Sequence, residues 1–188
     1  VKNIKSAGNL KYYGEKKNIN LANFHVLKRF KKFKIWCAGS THNSEEILIG
    51  KVHKKLKTQE KKLLTIIIPR HINRSKKIIS ELKEINLKVV THSKTKIIPS
   101  NTDVYLVDTF GETSKFYNLS NISFIGGSFI KHGGQNPLEA VRLGNYVVSG
   151  KNINNFKEIY SYLSKNKISF IANDKKGIEK IIKKKLDK

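Results

Sequence analysis

Short runs of apolar, mostly β-branched residues alternate along this chain with longer segments in which apolar residues recur at helical spacing. The runs predict seven strands, at residues 34–39, 63–69, 88–92, 103–108, 122–126, 146–149 and 169–172. The amphipathic segments predict five helices, at residues 44–56, 74–85, 137–143, 156–163 and 175–186. This alternation predicts an α/β fold, a Rossmann-like parallel sheet with helices on both faces.

Two parts of the chain depart from the alternation. Residues 91–102 contain Pro99 and show no helical period, so they predict an irregular crossover near the middle of the sheet. Residues 1–33 predict a first strand and a connecting segment, and no repeat or linker divides residues 34–188, which we expect to form one domain. The chain begins at Val1 and contains no Met, which predicts a processed product or the later part of a longer protein.

The charge of the chain is strongly positive, with 38 Lys+Arg against 14 Asp+Glu in 188 residues and a net charge of +24. Only 4 of these residues are Arg and 34 are Lys, beside 24 Ile and 18 Asn. Proteins that read bases or phosphates favour the planar fork of Arg, and the aromatic residues here do not interleave with the basic runs as base stacking requires. We therefore expect compositional drift and no nucleic-acid partner, with an anionic membrane surface as the alternative partner.

Polar residues follow the predicted strands, where open parallel sheets bind their ligands. They are Ser40, Thr41 and His42 after the first strand, Arg70 and His71 after the second, Gly111 and Glu112 after the fourth, and Gly127 and Ser128 after the fifth. An Arg kept in a chain that otherwise uses Lys predicts a bidentate contact from Arg70 to phosphate or carboxylate, with a surface ion pair as the alternative. Ser40 and Thr41 are equally suited to cap the following helix.

Residues 131–140 combine several features of an anion site. Asn136 is suited to an N-cap and Pro137 to the first helical position. Gly133 and Gly134 would let backbone N–H groups approach an anion at the helix N-terminus. Glu139 could accept hydrogen bonds from ribose hydroxyls, or it could only complement the helix dipole.

Other kinds of site are not indicated. His42, His71 and His132 lack the spacing of metal ligands, so no metal is expected. The sequence contains no GxxxxGK[ST] or GxGxxG motif and no evident nucleophile, base and acid set. These features predict a domain that binds a phosphorylated, nucleotide-like ligand and has no catalytic base of its own.

In this order, the motifs resemble the C-terminal half of the 3-deoxy-D-manno-octulosonic acid (Kdo) transferases. The matching pieces are GNLK at 8–11, WCAGSTH at 36–42, PRH at 69–71, DTFGE at 108–112, FIGGS at 124–128, GGQNPLE at 133–139 and NFKEI at 155–159. The resemblance implies the C-terminal domain of a GT-B glycosyltransferase, two Rossmann-like domains that face each other across a cleft. It also implies transfer of Kdo from CMP-Kdo to a lipid A precursor in lipopolysaccharide biosynthesis, at the cytoplasmic face of the bacterial inner membrane.

The resemblance makes residues 34–188 the CMP-Kdo-binding domain and implies that it works without a metal. The catalytic base would lie in an N-terminal acceptor domain that is absent from this chain. The expected donor contacts are Ser40, Thr41, Arg70, His71, Gly111, Glu112, Gly127, Ser128, Gly133, Gly134, Asn136 and Glu139. The chain departs from the family pattern at Gln135, where His is more frequent, and at Phe110, where Met is usual.

Two alternatives remain open at this point. One is another GT-B domain that acts on a sugar nucleotide, either a transferase or an epimerase. The other is a non-catalytic basic module that binds anionic lipid or nucleic acid.

Overall fold

A seven-stranded parallel sheet lies at the centre of the computed structural model, which describes residues 28–186. The strands are β1 (Lys34–Thr41), β2 (Leu63–Pro69), β3 (Val89–Thr91), β4 (Val104–Leu106), β5 (Ile122–Ile125), β6 (Tyr146–Ser149) and β7 (Ser169–Ile171). Their order across the sheet is β3-β4-β2-β1-β5-β6-β7, and every neighbouring pair is parallel. The seven predicted strands are thus confirmed, with small shifts at their ends.

Helices cover both faces of this sheet, as predicted. They are α1 (Glu45–Lys57), α2 (Ser75–Glu84), α3 (Thr113–Tyr117), α4 (Leu138–Arg142), α5 (Lys157–Lys165) and α6 (Lys175–Lys185), with 3-10 turns at Ile72–Arg74 and Asn154–Phe156. The buried side chains of α1, α2 and α6 share one hydrophobic cluster, and those of α3, α4 and α5 share the other. The sequence pattern did not predict α3, because five residues are too few to show a helical period.

The central strands are buried on both faces, which explains why their sequences are continuously apolar. All seven residues of β2 are buried, and alternate residues point to opposite clusters, with Leu63 and Ile67 on one face and Leu64 and Ile66 on the other. Burying such a side chain stabilises the fold by about 1.5–3 kcal/mol. β1 and β2 are therefore a rigid base for the loops that follow them.

The predicted position of residues 91–102 is wrong. β3 is an edge strand that pairs only with β4, so this irregular connection runs at one side of the sheet and not near its middle. Strand order depends on long-range pairing, which hydrophobic periodicity does not report. The first strand predicted within residues 1–33 falls mostly outside the described residues, and residues 28–30 form a helical turn.

The strand order places a crevice beside β1. The chain builds β2, β4 and β3 on one side of β1 and β5, β6 and β7 on the other, so the order reverses between β1 and β5. In parallel α/β sheets, ligands bind at such a reversal, beyond the carboxyl ends of the strands. Among residues 28–186, no helix is long and apolar enough to cross a lipid bilayer.

Candidate functional site

Glu45, in the first turn of α1, holds together the two loops that border the crevice. Its carboxylate accepts hydrogen bonds from the backbone N–H groups of His42 (2.9 Å), Gly127 (2.8 Å), Ser128 (3.0 Å) and Phe129 (3.0 Å). The side chain is only 1% exposed, and this burial raises the pKa of Glu45 against the opposing effect of the four N–H donors. Glu45 therefore ties the loop after β1 to the loop after β5.

Glu46 ties the loop after β1 to the chain that follows β2. It is fully buried and accepts hydrogen bonds from the Thr41 hydroxyl (3.0 Å) and from both Nη atoms of Arg74 (2.9 and 3.1 Å). Arg74 also donates to the side-chain oxygen of Asn43 (3.2 Å). The bidentate fork that was expected at Arg70 is thus observed inside the protein at Arg74.

Ser40 and Thr41 do not cap α1, so that alternative is wrong. Ser44 occupies the capping position without a side-chain hydrogen bond, and Ser40 lies in the left-handed region with φ 53°. A Cβ on residue 126 would lie 2.2 Å from the carbonyl oxygen of Ser40. A glycine at position 126 therefore allows the loops after β1 and β5 to approach this closely. The buried hydroxyl of Thr41 positions the loop and does not face the crevice.

Arg70 and His71 stand where β2 opens onto solvent. Both are exposed, and with Ile72, Asn73 and Phe110 they line an open cleft of about 670 Å³. The backbone of Arg70 is anchored by its N–H bond to the carbonyl of Thr41 (2.9 Å). Phe110 is 76% exposed and forms an apolar wall of the cleft.

Three histidines gather beside this cleft. The ring centroid of His42 lies 4.3 Å from that of His132 and 6.0 Å from that of His71. Burial, and after it the positive charges of His132, His71 and two nearby arginines, together lower the pKa of His42 to about 4. His42 is therefore neutral near pH 7 and can accept a hydrogen bond from the Gln135 amide, whose nitrogen lies 2.9 Å from its Nε2 and 3.2 Å from that of His132.

The permanent positive charge of the cleft is that of Arg70. Arg70 forms no ion pair within residues 28–186, so its charge is open to an anion from solvent. In the same part of the chain, no three His, Cys, Asp or Glu side chains are grouped as metal ligands would be. What the described residues offer an anion is the charge of Arg70 beside the histidines.

Glu112 forms the rim of the cleft on the β4 side. Its carboxylate accepts hydrogen bonds from the Thr109 hydroxyl (2.6 Å) and the Lys115 ammonium (2.7 Å), and Nε2 of His92 lies 2.7 Å away. Burial alone would raise the pKa of Glu112, but these hydrogen bonds and positive charges outweigh it and hold the pKa below its usual value. Gly111, beside it, has φ +80° and no atom within 4 Å of where a Cβ would lie, so the backbone there borders open space.

Asn136 and Glu139 lie at the start of α4. The helix begins at Leu138, one residue later than predicted, and the side-chain oxygen of Asn136 accepts from the N–H of Leu138 (3.0 Å) while Pro137 takes the cap position. Glu139 is exposed, and one of its oxygens accepts from the hydroxyl of Ser114 in α3 (2.6 Å). The carboxylate therefore faces solvent at the rim and does not cap its own helix with its side chain.

Gly134, the second of the paired glycines, does not present its N–H group to the cleft as predicted. The N–H of Gly134 donates to the carbonyl of Gly127 (2.9 Å), and that of Gln135 donates to the carbonyl of Gly126 (3.1 Å). Gly133 and Gly134 have φ of +91° and +80°, which lets the connection between β5 and α4 fold back onto its own first residues. The prediction that Gly134 binds an anion through its N–H group is therefore wrong.

Gly127 and Ser128 are also committed inside the protein. Their N–H groups donate to Glu45, while the Ser128 hydroxyl donates to the carbonyl of Ile125 (2.7 Å) and accepts from the N–H of Gly150 (2.9 Å). Their predicted contact to the donor substrate stays a prediction. The observed hydrogen bonds give both residues a positioning role. The sequence analysis missed Glu45 and Glu46. Two acidic residues in the first turn of a helix were nevertheless a visible signal, because their carboxylates interact favourably with the positive end of the helix dipole.

Comparison with known proteins identifies relatives. No protein-family profile matches the chain. The 3-deoxy-D-manno-octulosonic acid transferase of Haemophilus influenzae is 40% identical over 129 residues, which cover 69% of this chain and 30% of that protein. The transferase of the same name from Rickettsia felis is 36% identical over 153 residues, which cover 81% of this chain and 33% of that protein. The chain thus spans about a third of the length of these curated relatives.

A solved structure matches the whole fold. The C-terminal CMP-Kdo binding domain of WaaA from Acinetobacter baumannii superposes with a TM-score of 0.81 at 29% identity, over 88% of this chain and 86% of that chain. The seven-stranded parallel sheet and its two helical layers agree with this match. The chain therefore belongs to the Kdo transferase family and corresponds to the C-terminal domain of its members.

Proposed function

We propose that this chain is the donor-binding domain of a Kdo transferase, a glycosyltransferase that moves Kdo from CMP-Kdo to a lipid A precursor. The observation that carries the proposal is Arg70, which has no ion-pair partner among residues 28–186 and lies near His71 and His132 at the carboxyl edge of the sheet. CMP-Kdo carries a negative phosphodiester and a negative sugar carboxylate, which such a cationic cleft would attract. The structural relative with the same fold is itself described as a CMP-Kdo binding domain.

The donor contacts divide by chemistry. Arg70 and His71 would meet the phosphate, since their side chains are exposed in the cleft. Asn136 and Glu139, at the start of α4, would offer oxygens to ribose hydroxyls. Thr41, Gly127 and Ser128 would act indirectly, through the hydrogen bonds that hold Glu45 and Glu46.

The proposed reaction breaks the bond between C2 of Kdo and the phosphate oxygen as an acceptor hydroxyl attacks C2. The electron pair of the broken bond passes to CMP, whose phosphate gains negative charge. The fixed charge of Arg70 would stabilise this developing charge without a metal. The hydroxyl proton would pass to a base outside this chain, in an N-terminal acceptor domain, so the chain alone would bind donor and transfer nothing.

The remaining partners follow from the family resemblance. We expect the acceptor domain and the lipid A precursor to face the cleft, and we expect the assembled enzyme to act peripherally at the cytoplasmic face of the inner membrane. These expectations concern the longer protein of which this chain matches about a third.

Calorimetric titration with CMP tests the proposal. We expect heat of binding at millimolar CMP and at least about tenfold weaker binding for Arg70→Ala, because a charge-assisted hydrogen bond contributes about 1.5–3 kcal/mol. Lys180→Ala, which removes an equal charge from an exposed position on α6, is the matched control. Absence of heat with the unmodified chain, or equal affinity in the two variants, would contradict the proposal.

Titration with UDP and GDP tests the choice of nucleotide. We expect CMP to bind more tightly than either. Preference for UDP or GDP would instead assign the chain to another sugar-nucleotide enzyme with the same architecture.

A further inference from the structure

Two segments far apart in sequence join at the β3 edge of the sheet, and we call them together the basic ridge: residues 28–33 and residues 93–101. The guanidinium of Arg29 donates to the carbonyl of Thr95. The ammonium of Lys32 donates to the carbonyl of Ile98 (2.7 Å) and to the hydroxyl of Ser100 (3.2 Å). These bonds fix one segment against the other.

The ridge holds an apolar tip in a fixed place. Phe30 and Ile98 are 2% and 1% exposed and belong to one core cluster, so each segment is anchored from below. Ile97, next to Ile98, points outward and is 81% exposed, the largest exposed fraction among the big apolar side chains of residues 28–186. Ile97 thus lies in water at a position that the buried Phe30 and Ile98 fix from below.

The ridge also concentrates positive charge. Its cationic residues are Lys28, Arg29, Lys31, Lys32, Lys94 and Lys96. Neither segment contains an acidic residue. Compositional drift supplies lysines and isoleucines alike, but it does not supply the hydrogen bonds that join the two segments and hold Ile97 among the lysines.

We propose that the basic ridge docks onto an anionic lipid bilayer, with Ile97 inserted at the level of the headgroups. Apolar insertion and attraction of lysines to anionic headgroups act together in peripheral membrane binding, and Lys stems can lie along the apolar boundary while their ammonium groups stay in water. A nucleic acid fits the ridge less well. Phe30 is buried and cannot stack on bases, and Arg29 is already committed to a carbonyl.

Docking here would set the cleft near the bilayer surface. The loop that carries Ile97 begins at His92 and Ser93, which contact Glu112 and Asp108 respectively. Both acids follow β4, on the rim of the cleft. The proposal rests on the ridge itself and does not depend on which nucleotide the cleft binds.

Co-sedimentation of the full chain with vesicles tests the charge of the ridge. We expect binding to vesicles of phosphatidylcholine and phosphatidylglycerol, much weaker binding to pure phosphatidylcholine, and release by high salt. Lys94→Glu/Lys96→Glu should lower the partition coefficient at least about tenfold, since two attractive charges become repulsive. Lys183→Glu/Lys184→Glu, an equal charge reversal at exposed positions of α6, should have a clearly smaller effect.

The apolar tip is tested separately. Ile97→Ser should weaken vesicle binding about threefold or more without a change in the urea midpoint or in CMP affinity. Ile171→Ser, at the exposed end of β7 on the opposite edge of the sheet, is the matched control and should change vesicle binding little.

Three outcomes would overturn the proposal. The first is equal vesicle binding by the unmodified chain and Ile97→Ser. The second is an equal loss in the two lysine pairs, which would assign binding to the overall charge of the chain. The third is displacement of vesicles by single-stranded oligodeoxythymidine with no dependence on Ile97, which would assign the ridge to nucleic acid. CMP titration of the same samples separates each outcome from a failure of the donor site.

Discussion

Two pairs of carboxylates stand at the same edge of the sheet and have opposite surroundings. Glu45 and Glu46 are buried, and protein groups satisfy their oxygens. Glu112 and Glu139 lie on the rim, where Glu112 is partly exposed and Glu139 is exposed. The difference shows that an acid at the carboxyl edge of a parallel sheet can either build the site or face a ligand, and its burial and donors decide which.

The largest effect should come from Glu45→Ala. The change leaves four backbone N–H groups in the crevice without their acceptor, and we expect a loss of about 3–5 kcal/mol in the free energy of unfolding, measured by urea denaturation. Glu45→Gln keeps one acceptor oxygen, so its free energy of unfolding should lie between that of Glu45→Ala and that of the unmodified chain. If Glu45→Ala moves the midpoint no more than Glu158→Ala on the exposed face of α5, the structural role of Glu45 is wrong.

Arg74→Ala should come next. It leaves the fully buried Glu46 carboxylate without its ion-pair partner, and we expect about 3 kcal/mol of destabilisation in the same assay. Arg74→Lys keeps the charge but cannot form both bonds of the fork, so it should lose less stability than Arg74→Ala. Equal stability of the Ala variant and the unmodified chain would show that Glu46 does not need its partner.

Glu139→Ala should act on binding and leave folding nearly unchanged. We expect CMP affinity to fall by about 1–3 kcal/mol through a lost charge-assisted hydrogen bond, while the urea midpoint stays within the range of exposed substitutions. Calorimetry measures the first quantity, with Glu158→Ala as the matched control. Unchanged affinity would return Glu139 to the role of complementing the α4 dipole.

The smallest effect should be the pH dependence that His42 contributes. Its pKa in the folded protein, about 4, lies below the ordinary value of 6.5, so the unfolded chain takes up the proton first as the pH falls. This contribution to stability is therefore complete above pH 6.5 and decreases between pH 6.5 and 4. Urea unfolding at pH 7 and pH 5.5 should show a smaller difference for His42→Asn than for the unmodified chain, and equal differences would contradict the shift.

The comparison of the two carboxylate pairs also shows where sequence reasoning stopped. It identified the loops after β1, β2, β4 and β5 as the edge of a site, because polar residues that follow apolar runs are visible in a single sequence. It could not tell that the rare arginine with a buried partner is Arg74 and that the one open to solvent is Arg70. That distinction depends on Glu46, 28 positions away.

The prediction that the N–H group of Gly134 faces an anion was also wrong. Gly133 and Gly134 are visible as a flexible pair before a helix, but the N–H of Gly134 donates to the carbonyl of Gly127, seven residues earlier in the same connection between β5 and α4. This loop folds back on itself while Glu45 of α1 holds Gly127 in place, and that long-range contact forms only in the folded chain. The basic ridge likewise could not be identified from the sequence, since Arg29 and Thr95 become neighbours only in the folded chain.

Local order along the chain was enough to predict the strands, the long helices, the α/β class with helices on both faces of the sheet, and the family resemblance. Periodicity and motif order are properties of residues close in sequence, and they survive in a chain with 34 lysines and only 4 arginines. The strand order, the burial of Glu45 and Glu46 and the exposure of Arg70 and Ile97 required the folded structure. These features depend on which distant donors, acceptors and apolar surfaces come into contact. Those contacts are set only when the whole sheet is assembled.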